Sequence, residues 1–254
     1  MKTNNSLKIH WAEKWKNSAI YNNIKMVTME LVENTQTISF DGLRLRVQDA
    51  LFSNKHLVRI LNEISPVSFQ RESYSIVNVH NPSLPVIFDR LEHRYYVRPG
   101  YEDHPATGVS WTGAQLVATL VGGRLPYERE WEYCATSGDP DKKYPWGEEE
   151  PSLDRANYNE FIGRTTPIRQ YPPNPWGFYD MAGNAEEWCV DGYPGDDPSR
   201  EMVLEHVVKG GSWNKGPEFL ECSARRGKWY RVGTVGIGFR VVWQLPLRGD
   251  ENVG

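Results

Sequence analysis

The chain has little of what usually announces chemistry. Its three cysteines, Cys134, Cys189 and Cys222, form no C-x-x-C pair. An odd count does not close a disulfide framework, and no zinc-type spacing is present. The six histidines (His10, His56, His80, His93, His104 and His206) are scattered, with no H-x-x-x-H or H-x-H pair. No apolar run approaches the ~18 residues that a membrane helix needs. The first 23 residues are polar and contain no apolar core of a secretory signal. The expectation is a cytoplasmic protein without a membrane partner. Positive charge is also short, with 29 Lys and Arg against 33 Asp and Glu, a net charge of −4. The one basic run, Arg225-Arg226-Gly227-Lys228, is too small for a nucleic-acid footprint. There is no internal repeat and no low-complexity linker. The chain reads as one domain over 24–246, preceded by an arm, 1–23, and carrying an insert at 66–100.

Aromatics are abundant: 10 Trp and 13 Tyr. Such side chains bury large areas while keeping a polar end. They suit a core in which regular structure is sparse, or a face that meets a ligand. Trp11 and Trp15 are spaced for one face of a short helix. Alternation suggests strands at 24–32 and 43–47. Ser53 is placed to cap a helix bearing Leu57, Leu61 and Ile64. Short strands fit 75–79 and 95–98. A second helix starts near Thr112, where Thr112 and Gln115 have capping-box spacing, and stops at Gly122-Gly123. A third starts at Pro126, with Glu128 and Glu130 favouring its first turn, and ends near Thr136. Residues 139–180 are proline-rich and aperiodic, and a loop of that length is functional or pinned. The pins are Trp146, Tyr158, Phe161, Trp176 and Phe178, or a bound cation. From 207 to 243 the chain alternates like strands.

Three glycine-marked segments punctuate the last third: Gly183-Asn184-Ala185-Glu186-Glu187-Trp188, Gly210-Gly211-Ser212-Trp213 and Gly236-Ile237-Gly238-Phe239-Arg240. Upstream stand His104-Pro105-Ala106-Thr107-Gly108-Val109-Ser110-Trp111, Gly123-Arg124-Leu125-Pro126, Glu130-Trp131-Glu132-Tyr133 and Tyr144-Pro145-Trp146-Gly147. Ala156-Asn157-Tyr158-Asn159 and Asn174-Pro175-Trp176-Gly177-Phe178-Tyr179-Asp180-Met181 follow. In this order the set resembles the formylglycine-generating enzyme, or sulfatase-modifying factor, family from about residue 104 to 243. Residues 24–65 fit its opening more loosely. The resemblance implies a C-type-lectin-like α+β fold: antiparallel strands, two main helices, and long irregular segments held by aromatics and often calcium.

The same resemblance implies what chemistry to look for. The family's oxidases hold copper with two cysteines placed just after GGS(Y/W), since Cu(I) prefers soft thiolates. Here that stretch runs from Asn214 to Cys222 without a cysteine pair, so copper is not expected. A second branch uses three histidines for iron. Their helical pattern is missing, so iron is not expected either. Glu186 stands where the family's G-N-x-W-E-W has an aromatic ring. Glu186 and Glu187 are neighbours on an extended chain and point to opposite sides, which disfavours an acid/base pair. Calcium is the implied cofactor, carried over to Asp180, Gly183, Ala185 and Glu187, with a second set at Asn157, Tyr158, Glu160 and Ile162. Hard cations take such oxygen sets, many of them backbone carbonyls. Cys134 and Cys222 lie near positions that form a disulfide in secreted members, and free thiols are expected in a cytoplasm.

The expected function is a non-catalytic module that binds a protein or small-molecule ligand. Its face is the GGSW-to-GFR segment: Trp213, Asn214, Glu218, Phe219, Lys228, Trp229, Tyr230 and Arg231, with Glu186 beside them. Tyr, Trp and Arg favour recognition. The chain is compatible with the variable proteins of diversity-generating retroelements, which use this fold and this stretch. Two alternatives stay open. One is a divergent metal-dependent oxidoreductase or modifying enzyme, with Glu186 joined by a histidine of 66–104. The other is a carbohydrate-binding, lectin-like protein.

Overall fold

The computed structural model describes residues 19–64, 76–193 and 204–246. The expected helix around Trp11 and Trp15, and parts of the arm and of the insert, lie outside them. The described chain opens on α1 (Ala19–Glu33), followed by β1 (Thr35–Phe40), β2 (Leu43–Gln48), α2 (Asn54–Ile64), β3 (Val86–Asp89) and β4 (Arg94–Val97). Next come α3 (Trp111–Leu120), α4 (Glu128–Ala135), β5 (Glu186–Gly192) and β6 (Glu205–Lys209). A 3-10 turn (Pro217–Leu220), β7 (Arg225–Trp229), β8 (Ile237–Gly238) and β9 (Val242–Leu245) complete the order.

The α+β class stands, but the expectation of two main helices does not: four α-helices occur among the described residues. The addition that sequence reading missed is α1, over residues expected to form a strand. Ile24, Val27 and Leu31 are buried together in the larger core, whereas Met26 and Met29 are exposed. The spacing of three and four residues marks a helix stripe. Apolar residues on both faces of the segment had imitated alternation. In the other helices the boundaries move slightly. Ser110, not Thr112, caps α3 by accepting from the Gly113 N–H at 3.0 Å. Glu130 accepts from the Tyr127 N–H at the start of α4, two residues after Pro126.

The helices α1 and α2 meet through a polar seam. Arg59 pairs with Glu30 at 2.5 Å, and His56 lies between Ser53 Oγ (2.8 Å) and Glu30 Oε2 (3.5 Å). Burial, aided by neighbouring Lys55, pushes the His56 pKa from 6.5 down to about 4. The unfolded chain therefore binds a proton that the native state refuses across this interval, and stability rises with pH there. Urea midpoints should fall as pH drops from about 6.5 to about 4, and His56→Gln should flatten that slope. An unchanged slope in the variant would remove His56 as the cause.

Three sheets result. β1-β2-β9 is antiparallel, with Ile38 opposite Leu45 and Arg46 opposite Trp243. The β1–β2 turn is Asp41-Gly42, both at positive φ (50° and 74°), the two-residue geometry that matches strand twist. β3 and β4 form a hairpin. The third sheet has the order β7-β6-β5-β8, antiparallel except for β5 with β8. One face of it carries Trp188, Val208 and Ile237 into the larger core; the other carries Cys189 and Val207 against Trp131.

Residues 136–185 contain no helix or strand. They are tied down by side-chain amides. Asn174 donates to the Cys134 and Ala135 carbonyls at 2.7 and 3.1 Å and accepts from the Trp176 and Phe178 N–H groups, both at 3.0 Å. This closes the end of α4 onto the loop and satisfies four buried groups with one residue. Asn184, at φ 63°, bridges Thr166 in the same manner.

Candidate ligand-binding face

The adjacent acids Glu186 and Glu187 begin β5 and are buried on opposite sides of it. Glu187 meets Arg240 in a two-pronged ion pair, both contacts 2.6 Å, with both side chains inaccessible. The same guanidinium donates to the carbonyls of Gln48 (3.1 Å), Asp49 (3.4 Å) and Tyr179 (3.1 Å). The GNAEEW and GFR segments are thereby joined to each other and to the end of β2.

Glu186 faces the other way. Register places it on the side of Trp188, which opposes Val208, which opposes Arg226. Opposed residues in antiparallel strands share a face. Glu186, Arg226 and Lys228 therefore line one side, and Arg226 Nε lies 3.2 Å from Glu186 Oε1. Burial pushes the Glu186 carboxyl up, against the opposing pull of Arg226, Lys228 and Lys215. Burial also pushes the Lys228 ammonium down, with Arg226 adding to it.

Loops frame this floor. After GGSW, Trp213 donates its indole N–H to Val235 at 3.2 Å, and Ser212 Oγ donates to Asn214 Oδ1 at 2.9 Å. Gly236 packs against Ser212 and Asn214, and its carbonyl accepts from the Glu186 N–H at 2.8 Å. Phe219 lies under the Arg226 guanidinium, 5.0 Å from its ring centre. The loop 230–236 is held against 108–111: Trp111 N–H reaches Tyr230 O, and Gly108 N–H reaches Thr234 O. A side chain at Gly233 would place its Cβ 1.9 Å from Gly108 O, so that contact requires glycine.

The structure thus gathers Glu186, Trp213, Asn214, Phe219 and Lys228. Tyr230 lies at the rim, with the exposed Arg231 over its ring. Glu218 is exposed at the 3-10 turn. Trp229 alternates onto the opposite face of β7, opposite Glu205 and half exposed. Sequence reading missed Lys215 and Arg226. Alternation along β7 was the available signal, because it puts Arg226 and Lys228 together and sends Arg225 across to Glu128 at 2.8 Å.

For the implied calcium sets the donors differ. In the first, both Glu187 oxygens are taken by Arg240. Asp180 accepts from the Arg169 N–H at 2.8 Å and, by burial, has its pKa pushed up to about 6. Gly183 N–H is used by Gly210 O, and Ala185 is buried. With Glu187 held by Arg240, this set keeps only the Asp180 carboxyl and backbone carbonyls for an added cation. In the second, Asn157 is fully buried and its Oδ1 has no partner, while its Nδ2 donates to Arg164 O at 2.8 Å. That lone oxygen fits a hard cation. Tyr158 is buried, and Glu160 and Ile162 are exposed. Among the described residues no three His, Cys, Asp or Glu side chains converge as a metal cluster. All three cysteines are free and buried. Burial pushes Cys134 and Cys222 up to about 12, and Cys189 well above the ordinary thiol value, so none is a ready thiolate.

Residues 79–245 match the family described as the sulfatase-modifying factor enzyme 1-like domain. A stretch of 147 residues is 39% identical to "Serine/threonine-protein kinase pkn1" of Chlamydia pneumoniae, covering 54% of this chain and 23% of that protein. The "Formylglycine-generating enzyme" of Thermomonospora curvata is 35% identical over 136 residues, 44% of this chain and 45% of the enzyme. The matches span about a quarter of the kinase and under half of the enzyme. Among solved structures, Treponema denticola variable protein 1 superposes with a TM-score of 0.58 at 18% identity, covering 84% of this chain and 92% of that one. PvdO from Pseudomonas aeruginosa gives 0.57 at 23%, covering 83% and 90%. At these identities they show the shared fold.

Proposed function

This chain belongs to the sulfatase-modifying factor enzyme 1-like family, and from that premise we propose that it is a non-catalytic module that binds a protein or small-molecule ligand at the Glu186–Lys228 face. One observation carries the reading. Where the resemblance puts the family's copper cysteines, this chain has Lys215 and Phe219 beside Arg226 and Lys228, and its own thiols are buried, with burial pushing their pKa values up. Aromatic and arginine side chains at one face supply area with little loss of freedom. Glu186 is spent on Arg226, not on a histidine, which weighs against the divergent oxidoreductase. The kinase-named relative is about four times longer than its matched stretch, which accords with a recognition module attached to other activities. The shared fold of a variable protein supports the same role. Carbohydrate recognition rests on fold analogy, a weak warrant.

We place calcium, as a structural ion, at Asn157 and its neighbours Tyr158, Glu160 and Ile162, where it would satisfy the lone amide oxygen. No nucleic acid is proposed as a partner. No helix among the described residues is long and apolar enough to cross a membrane, and a cytoplasmic location is part of this proposal.

The test has two arms. Selection from a displayed peptide library should return sequences whose binding weakens by about 2 kcal/mol with Phe219→Ala, and not with Leu91→Ser on the distant β3–β4 turn. Elemental analysis should find calcium or no metal. Stoichiometric copper or iron, together with oxidation of a cysteine peptide, would overturn the proposal.

A further inference from the structure

The binding reading leaves open what chemistry the face selects, and its floor is strongly biased. Arg226 and Lys228 project from the same side of β7, two residues apart. Lys215 joins them from the loop after GGSW, whose backbone is fixed: its N–H donates to Ser212 O at 2.9 Å and its carbonyl accepts from Asn159 N at 2.8 Å. Against these three cations stands one carboxylate on the same side of the sheet, Glu186, which is engaged with Arg226 Nε; Glu205 acts on Lys228 from the position opposite Trp229, on the other side. Lys215 and Lys228 are both half-buried, and neither ammonium has a hydrogen bond or ion pair among the described residues. The buried Arg240 and Lys209 and the half-buried Arg124 each have a carboxylate partner: Glu187, Glu132 and Glu130. Lys215 and Lys228 have no such partner, and they stand together at the recognition face.

Resting on the binding reading above, we infer that this floor receives a phosphate monoester group, with Lys215, Arg226 and Lys228 as its cations. On its own side of the sheet the cluster has an excess of two positive charges, three cations against Glu186. A phosphate monoester brings about −1.5 to −2 near neutral pH, whereas a carboxylate brings half of that. Arginine offers a planar fork and the two lysines act as movable point charges, the usual division of labour around phosphate oxygens. Phe219 lies against the Arg226 guanidinium and gives the floor a flat surface for whatever carries the phosphate.

Calorimetric titration of the full chain tests this with phosphoserine peptides, glucose 6-phosphate, sulfate and acetate as probes. Phosphate-bearing probes should bind, more weakly as salt rises, with sulfate and acetate well behind. Lys228→Met and Lys215→Met should each weaken binding about tenfold. Glu186→Gln should tighten it, because the competing carboxylate is gone; a purely structural role for Glu186 gives no such gain. Preference for the peptide or for the sugar phosphate identifies the source of the group, and either supports the inference. Circular dichroism confirms folding of each variant. Absence of phosphate-dependent heat from folded protein, or equal affinity in Lys228→Met, would overturn the inference. If displayed peptides still bind through Phe219 regardless of phosphorylation, the binding face survives and only the phosphate assignment fails.

Discussion

Arg240→Met should cost about 3–5 kcal/mol of stability, read as a lowered urea midpoint with an unchanged slope. The size follows from what is left behind. Glu187 would remain fully buried with neither oxygen paired, and three carbonyls, of Gln48, Asp49 and Tyr179, would lose their donor. An uncompensated buried charge is far more costly than the pair is worth. The double variant Glu187→Leu/Arg240→Met removes both charges and should recover a large part of the loss, a coupling that a double-mutant cycle measures. Arg240→Lys should fall between, since an ammonium cannot reproduce the two-pronged contact. If the double variant is as unstable as the two single losses added together, the ion pair is not the source of the effect.

The second large effect belongs to Trp188→Ala, again about 3–5 kcal/mol, from lost apolar burial and the cavity that follows. Trp188 is fully inaccessible and packs in the same cluster as Val109, Val208 and Phe239. Its indole N–H also donates to Val109 O at 3.0 Å, which would be left without a partner. Trp188→Phe keeps most of the ring but not the donor, so about 1–3 kcal/mol of the loss should persist. Thermal melting of the three proteins separates the contributions. Because Trp188 shares a face of β5 with Glu186, two residues along the strand, the alanine variant should also loosen the recognition floor.

The motifs were legible because each has a local physical duty. The glycines and asparagines of GNAEEW and GGSW sit at positive φ, at Gly183, Asn184, Gly210 and Gly211. Such positions leave a clear mark in sequence. Helix α3 was legible from its apolar stripe, though not its cap, and α4 from Pro126 with the acids of its first turn. The strand expected at 24–32 failed because apolar side chains occupy both the buried and the exposed sides of α1, so Met26 and Met29 blurred the period. For the candidate face, sequence reading named Trp213, Asn214, Phe219 and Lys228 without their sides, and it missed Lys215 and Arg226. Trp229 and Lys228 are neighbours in the chain and part company in the sheet. Arg226 was read as part of a basic run when its meaning lay in alternation. The Glu187–Arg240 pairing, 53 residues apart, has no local signature at all.

The pairing of β2 with β9 also sets a timetable for synthesis. Residues 43–48 can be built on one side by β1 almost at once, but their other neighbour is Val242–Leu245. Ribosomes add about 5–20 residues per second, so nearly two hundred intervening residues impose a wait of about 10–40 s. Throughout it β2 offers an open row of backbone donors and acceptors, the kind of template on which nascent chains aggregate. Arg44 and Arg46 stand along that row. Their charge, a modest feature of the finished sheet, is suited to guarding the strand while its partner is still being made.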